Sequence, residues 1–274
     1  MKKIVKLLAL CALISGLSPF LSAQFLPEEV AEWPKWEKFL EEAEVISSEQ
    51  LRGRGAVTEP YVLTLEKDGI TQKALWKNPE GRMKGWLEGW KWEIAAYRID
   101  QLLGLNMIPP TIEKRFKGNR GSCQLWVDTE MSLKDKFEKK IKTPAIKTFF
   151  WNRAIYLQRF FDNLIANEDR HQQNIRITED WRMILIDHSR SFRTTSKFTK
   201  ELINKPEGRD SKPMKSLPRS IYEKVKSLDF DAIRAAVGEY LTDDEINAVL
   251  ARRDLIVKVF EDLIAEQGEA EVLY

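Results

Sequence analysis

Asp169 and Asn174 stand five residues apart, and Asp187 follows thirteen residues later at the end of an apolar run. They share the segment Asp162 to Phe192, DNLIANEDRHQQNIRITEDWRMILIDHSRSF, with the chain's only two histidines, His171 and His188. These types at this spacing suit phosphoryl transfer: one Asp to orient a hydroxyl, an Asn and a second Asp to hold a divalent cation. Mg²⁺ prefers oxygen donors and keeps waters and substrate phosphates, so two protein ligands suffice. Positioning and charge neutralisation do most of such catalysis, and no covalent nucleophile is required.

These side chains need elements to hold them. Residues 146–167, IKTFFWNRAIYLQRFFDNLIAN, predict a long apolar helix that delivers the chain to Asn167-Glu168-Asp169. A short strand Asn174 to Ile177, a turn Thr178-Glu179-Asp180 and a strand Trp181 to Ile186 then predict a hairpin. Asn174 and Asp187 would face each other across its open end. Upstream, the apolar Ala74-Leu75-Trp76 ends in Lys77. That lysine is either an exposed strand end or a buried ammonium in need of an anion. WKWEIAAYRIDQLLGL predicts a helix from Trp90 to Leu103, stopped by Gly104, with Glu93 in its first turn. The helix dipole favours an acid there, and so would a lysine partner. Gly53 and Gly55 form a GxG that lets backbone approach a phosphate and equally makes a plain turn.

The remaining chain frames these parts. Residues 27–44 carry Trp33, Trp36, Phe39 and Leu40 at helical spacing, with a break at Pro34. Residues 45–78 switch to a period of two, with strands joined at Lys67-Asp68-Gly69. NPEGRMKGWLEG reads as a polar loop, and IEKRF and SCQLWV as strands about the turn KGNRG. After Val127 a lysine-rich helical pattern reads as a solvated face. Residues 193–220 read as a loop that covers or approaches the cleft. Thr242 and Glu245 form a capping box for a last helix ending near Gly268.

At 274 residues the chain has room for one large domain or two lobes about a cleft. With 43% hydrophobic and 31% charged residues it is globular rather than disordered. A net charge of +2 gives no general case for nucleic acid or an anionic membrane as partner. MKKIVK, LLALCALISGL and SPFLSAQ read as the three parts of a signal peptide spanning 1–23. The apolar part is too short and broken for a comfortable membrane span. Export to periplasm, secretory lumen or medium follows. Once Cys11 leaves, Cys123 is alone, so no intramolecular disulfide forms and a Cys/His zinc site is excluded in practice.

In this order the pieces resemble the atypical kinases related to the phosphatidylinositol 3- and 4-kinases. That group includes HipA-type kinases, actin-fragmin kinase and the secretory-pathway Golgi casein kinase family. Asn167-x-Asp169-Arg170-His171-x-x-Asn174 looks like their catalytic loop, and Ile186-Asp187-His188-Ser189-x-x-Phe192 like their metal-binding motif. ALWKNP around Lys77 is similar to their nucleotide-binding strand, and WEIAAYRIDQLLGLNMIPPT to the helix that follows. The likeness covers roughly residues 50–192. It implies an α+β, two-lobed fold with a β-rich N-lobe over 45–127 and a mostly helical C-lobe over 128–274. A helical extension at 24–44 precedes them. It implies ATP with Mg²⁺ or Mn²⁺ as cofactors. Asp169 would be the base, His171 would steady the phosphate or the loop, and Asn174 and Asp187 would hold metal. Lys77 would contact phosphates and pair with Glu93, and backbone around Gln124, Leu125 and Trp126 would meet the adenine. Arg170 and His188 would brace the site. The acceptor is a hydroxyl, with protein Ser/Thr favoured and a glycan ahead of a lipid. A nucleotide-binding pseudokinase and an AMP transferase on the same fold stay open. A metal hydrolase on Asp162, Asp169, Asp180 and Asp187 lacks enough clustered ligands.

Overall fold

The computed structural model describes residues 24–52, 58–205, 208 and 211–274. The expected signal peptide and the Gly53/Gly55 pair lie outside them. Helices α1 (Pro27–Ala31) and α2 (Trp33–Glu42) break at Glu32, as Pro34 in the first turn of α2 requires. A five-stranded antiparallel sheet follows, in the order β1-β2-β3-β7-β6. Its strands are β1 (Glu44–Gln50), β2 (Tyr61–Lys67), β3 (Ile70–Lys77), β6 (Thr111–Phe116) and β7 (Asn119–Leu125).

Alternation assigns the two sheet faces. Leu63, Leu65, Ala74, Trp76 and Cys123 are buried with Phe39 and Leu40 of α2 and Ala43 just after it. Lys114 seals this contact. Its Nζ donates to Leu40 O (2.6 Å), Ala43 O (2.9 Å) and Glu41 O (3.2 Å), where α2 leaves carbonyls without partners. On the opposite face Lys77 pairs with Ser122 and Leu75 with Gln124, so these four side chains share one surface. Cys123 is buried and is the one free cysteine among the described residues.

Between β3 and the next helix the expected polar loop is instead a hairpin. Strands β4 (Glu80–Met83) and β5 (Trp86–Gly89) pair from Glu80↔Gly89 to Met83↔Trp86. Helix α3 (Trp90–Leu103) has the expected bounds and ends at Gly104, whose φ of 73° is left-handed.

The second core is helical. Ala95, Tyr97, Ile99 and Leu103 of α3 share one buried cluster with Leu157, Phe160, Phe161 and Leu164 of α5 (Ala145–Ile165). Each fully buried Leu or Phe contributes about 1.5–3 kcal/mol. Strand β8 (Met131–Ser132) joins β9 (Ile175–Ile177) and β10 (Met183–Leu185) in a small sheet, and α4 (Leu133–Glu138) follows β8.

After α6 (Ser196–Lys200), described residues of the next stretch bond to α5. Asn204 N donates to Asn163 Oδ1 (2.7 Å), and Arg159 donates to Pro213 O (2.9 Å). Leu202, Met214 and Leu217 are buried, and their apolar surface draws the segment into the core. Helices α7 (Arg219–Lys226), α8 (Phe230–Val237), α9 (Asp243–Gln267) and α10 (Glu269–Val272) complete the chain. The Thr242/Glu245 capping box opens α9, and Gly268 closes it. Arg252 of α9 is fully buried, donating to Leu164 O (2.8 Å) and Arg193 O (2.7 Å). No helix among the described residues is long and apolar enough to cross a membrane.

Candidate active site

Helix α5 stops where Ala166 turns left-handed (φ 50°), and the loop 167–174 folds back over its last turn. Asp162, fully buried, organises the return. It accepts from Asn167 Nδ2 (3.2 Å), from Arg170 Nε (3.1 Å) and from Gln158 Nε2. Arg170 also donates to Asn174 O (2.9 Å) and Ile186 O (2.7 Å). One guanidinium thus fastens both strands that carry Asn174 and Asp187. Its Nη2 lies 2.7 Å from His188 Nε2.

Lys77, at the end of β3, contacts Glu93 Oε1 and lies 2.7 Å from Asp187 Oδ1. Glu93, on the first turn of α3, accepts from the His188 backbone N–H through Oε2 (2.9 Å). Burial opposes every charge in this triangle, and mutual attraction outweighs it. Lys77 is accordingly raised, while Glu93 and Asp187 are held below the usual carboxylate range. His188 is fully buried, and burial together with Arg170 lowers it, so its imidazole is neutral at pH 7. Because Nε2 faces a guanidinium donor, Nε2 accepts and Nδ1 carries the proton. Asp187 adopts φ 61°, a left-handed turn tolerated by Asp more than by bulky residues.

Asp169 lies at the outer edge of this network. Its carbonyl accepts from His171 N (2.7 Å) and Asn174 Nδ2 (3.1 Å). Its carboxylate Oδ2 is 3.2 Å from Arg190 Nη1. Burial raises Asp169 above its ordinary value, with Arg190 acting against the rise. His171 is exposed, and its Nδ1 accepts from Gln173 N (3.2 Å), capping the 3-10 turn Gln172–Asn174. Its ring therefore stands outside the buried network.

The β4–β5 hairpin brings residues that the sequence reading did not single out. Glu88 is buried and accepts from Ser189 Oγ and Arg190 Nε, both at 2.6 Å. Gly89 N donates to Ser189 O (2.9 Å), and the Arg190 guanidinium lies 5.0 Å from the Trp86 ring. Glu88 thus fixes Arg190, which faces Asp169. The one signal in the sequence was an acid beside the glycine that opens α3.

Gln124 shares the Lys77 face and donates through Nε2 to Thr111 Oγ1 (2.9 Å). Leu125 N is bonded to Pro110 O (2.8 Å) and Trp126 N to Lys73 O (3.0 Å). These two amides are bonded within the sheet. Gly121 lies beside Lys77: a Cβ there would sit 2.7 Å from Lys77 O and from the Trp76 ring. Only glycine permits that approach.

Among the described residues no group of three His, Cys, Asp or Glu forms a metal centre. Asn174 and Asp187 nevertheless fit a hard divalent cation that brings its own phosphates. Asp187 is held ionised yet its side chain is 37% exposed. The Asn174 amide nitrogen is committed to Asp169 O, which leaves Oδ1 as its acceptor.

Sequence comparison finds no matching family model and no matching curated protein. Solved structures do match. A hydra Fam20 structure with sugar has a TM-score of 0.65 at 16% identity, covering 93% of this chain and 96% of the other. The Golgi casein kinase with Mn/ADP bound has a TM-score of 0.63 at 15% identity, covering 92% and 80%. The Helicobacter pylori proinflammatory kinase CtkA has a TM-score of 0.50 at 12% identity, covering 83% and 98%. The chain has the two-lobed α+β fold of these atypical kinases.

Proposed function

We propose that the chain is an exported ATP-dependent phosphotransferase that moves the γ-phosphate of ATP onto a hydroxyl, with Mg²⁺ or Mn²⁺. The observation that carries this reading is the ion-paired triangle of Lys77, Glu93 and Asp187. A strand lysine paired with a helix acid and a hairpin-end aspartate is the arrangement that kinases use on nucleotide phosphates. The Mn/ADP-bound Golgi casein kinase, a structural neighbour, supports the cofactor class.

In this reading residues 45–127 are the N-lobe and 128–274 the C-lobe, with 24–44 a helical extension and 1–23 a signal peptide. Lys77 binds the α/β-phosphates, held in direction by Glu93. Asn174 and Asp187 hold the divalent cation, which supplies neutralisation of phosphate charge. Asp169 orients the acceptor hydroxyl and takes its proton, and its raised pKa suits a base that must also release that proton. His171, exposed beside Asp169, steadies the transferring phosphate or the loop. The acceptor class is protein Ser/Thr or a glycan, and the sugar-bound hydra neighbour is compatible with the latter.

The test is γ-labelled ATP with Mn²⁺ and the mature protein, scored for self-labelling and for transfer to casein-type and glycan acceptors. Asp187→Ala should lower transfer by at least about 10²–10³-fold with circular dichroism unchanged. Undiminished transfer in that variant would remove the metal assignment. Label arriving from the α-phosphate indicates AMP transfer, and nucleotide-dependent thermal stabilisation without any label transfer indicates a binding module.

A further inference from the structure

A cavity of about 340 Å³ lies on the C-lobe side of the loop that carries Asp169, between α4, α5 and the residues Ile203, Asn204 and Lys212. The catalytic loop forms one wall through Asn167, Glu168, Arg170 and Gln172. An apolar wall is made by Phe137, Trp151 and Ile155, and Gln158 and Asn204 present amides. Three cations complete the lining: Lys136, Arg159 and Lys212.

The charges around this cavity do not balance. Arg170 is neutralised by Asp162, and Glu168 by Arg193. Among the described residues, Lys136, Arg159 and Lys212 have no carboxylate partner. Arg159 is bonded only to Pro213 O (2.9 Å), and burial lowers its pKa. Lys136 lies over the Phe137 and Trp181 rings, at 5.4 and 5.9 Å. In a chain of net charge +2, three uncompensated cations about one cavity are a local excess that an anion would relieve. The aromatic wall offers a ring face, and the amides offer partners for hydroxyls.

We propose that this cavity is a second ligand site, separate from the nucleotide cleft, for a small ring-bearing anion. A phosphorylated or carboxylated monosaccharide is the class that uses all three kinds of lining group. An occupant would rest on Asn167 and Arg170 and so touch the loop that presents Asp169. The site stands whether or not the chain transfers phosphate.

The experiment is calorimetric titration of the full chain with glucose 6-phosphate, glucuronate and glucose, in saturating Mn²⁺ and a non-hydrolysable ATP analogue. Saturable binding of at least one of the anions, with glucose much weaker, is expected; which anion wins separates phosphate from carboxylate recognition. The combined Arg159→Gln and Lys212→Gln variant should weaken it by about tenfold or more, and Lys77→Met should leave it unchanged. Lys136→Gln provides the same test should the double variant fold poorly. Absence of binding by both anions overturns the site. So does equal binding of glucose, an effect confined to Lys77→Met, or no effect of removing the three cations.

Discussion

Arg170 and Arg252 are both shut away from solvent, and both fasten separate stretches of chain through backbone carbonyls. Arg170 meets a carboxylate, Asp162, and continues through His188 to Glu93, Lys77 and Asp187. Arg252 meets carbonyls alone, and burial without a counter-ion pushes it down to about 9. Asp100 is the acidic equivalent. It is buried, bonded to Met107 N (3.0 Å), and burial pushes it up to about 8. Ionisable groups at the cleft are therefore buried in pairs, and Arg252 and Asp100 are buried singly. Paired burial keeps groups ionised and poised, whereas single burial only stitches loops to helices.

Arg170→Met should break this contrast most severely. It leaves Asp162 buried and unpaired, for a loss of about 3–5 kcal/mol in denaturant unfolding, and transfer activity should vanish with it. A stable, active variant would show that Asp162 and Arg170 are not coupled.

Arg252→Met should cost about 2–3 kcal/mol, because two buried carbonyls lose their donor. Activity per folded molecule should be retained. A fall in kcat at unchanged folded fraction would place Arg252 within the site's network after all.

Glu88→Gln tests the outer branch of the paired network. Arg190 and Ser189 lose a charged acceptor, so kcat/KM should fall by roughly tenfold with a small change in Tm. Equal losses from Glu88→Gln and a control change in the exposed Glu80 would dissolve the distinction.

The pH dependence is the finest probe. Folded His188 refuses a proton that the unfolded chain accepts below its ordinary 6.5, so stability falls as pH drops through that value. Glu93 and Asp187, held below 4.5 and 3.8, extend the loss into acid. Asp100 acts in the opposite direction. Its folded form keeps a proton between pH 3.8 and about 8, so its contribution is lost as pH rises through that window. Asp100→Asn should remove this slope, and its Tm should gain on wild type toward pH 8. An unchanged slope would show that Asp100 is ionised in the folded state.

Much of this was legible in the sequence, for physical reasons. The bounds of α3 follow from Gly104, which alone takes φ 73° without strain. Asp169, Asn174 and Asp187 could be grouped because a short hairpin with a tight turn leaves little freedom in where its ends lie. The β4–β5 ribbon was not legible. Glu80-Gly81-Arg82-Met83 lacks apolar alternation, and the pair is held by Glu88 reaching Ser189 and Arg190 far along the chain. The burial of Leu202, Met214 and Leu217 was hidden similarly, since isolated apolar residues show no period. The commitment of the Leu125 and Trp126 amides depends on strand register, which local pattern does not specify.

Gly121 gives the cleft a hidden point of heritable control. Its missing side chain lets β7 press against the backbone of Lys77. Any larger residue there would push the lysine's strand aside without touching a single ionisable group. An inactive allele could therefore arise with every acid and base in place. Such an allele would look intact to any inspection limited to its chemistry-bearing residues.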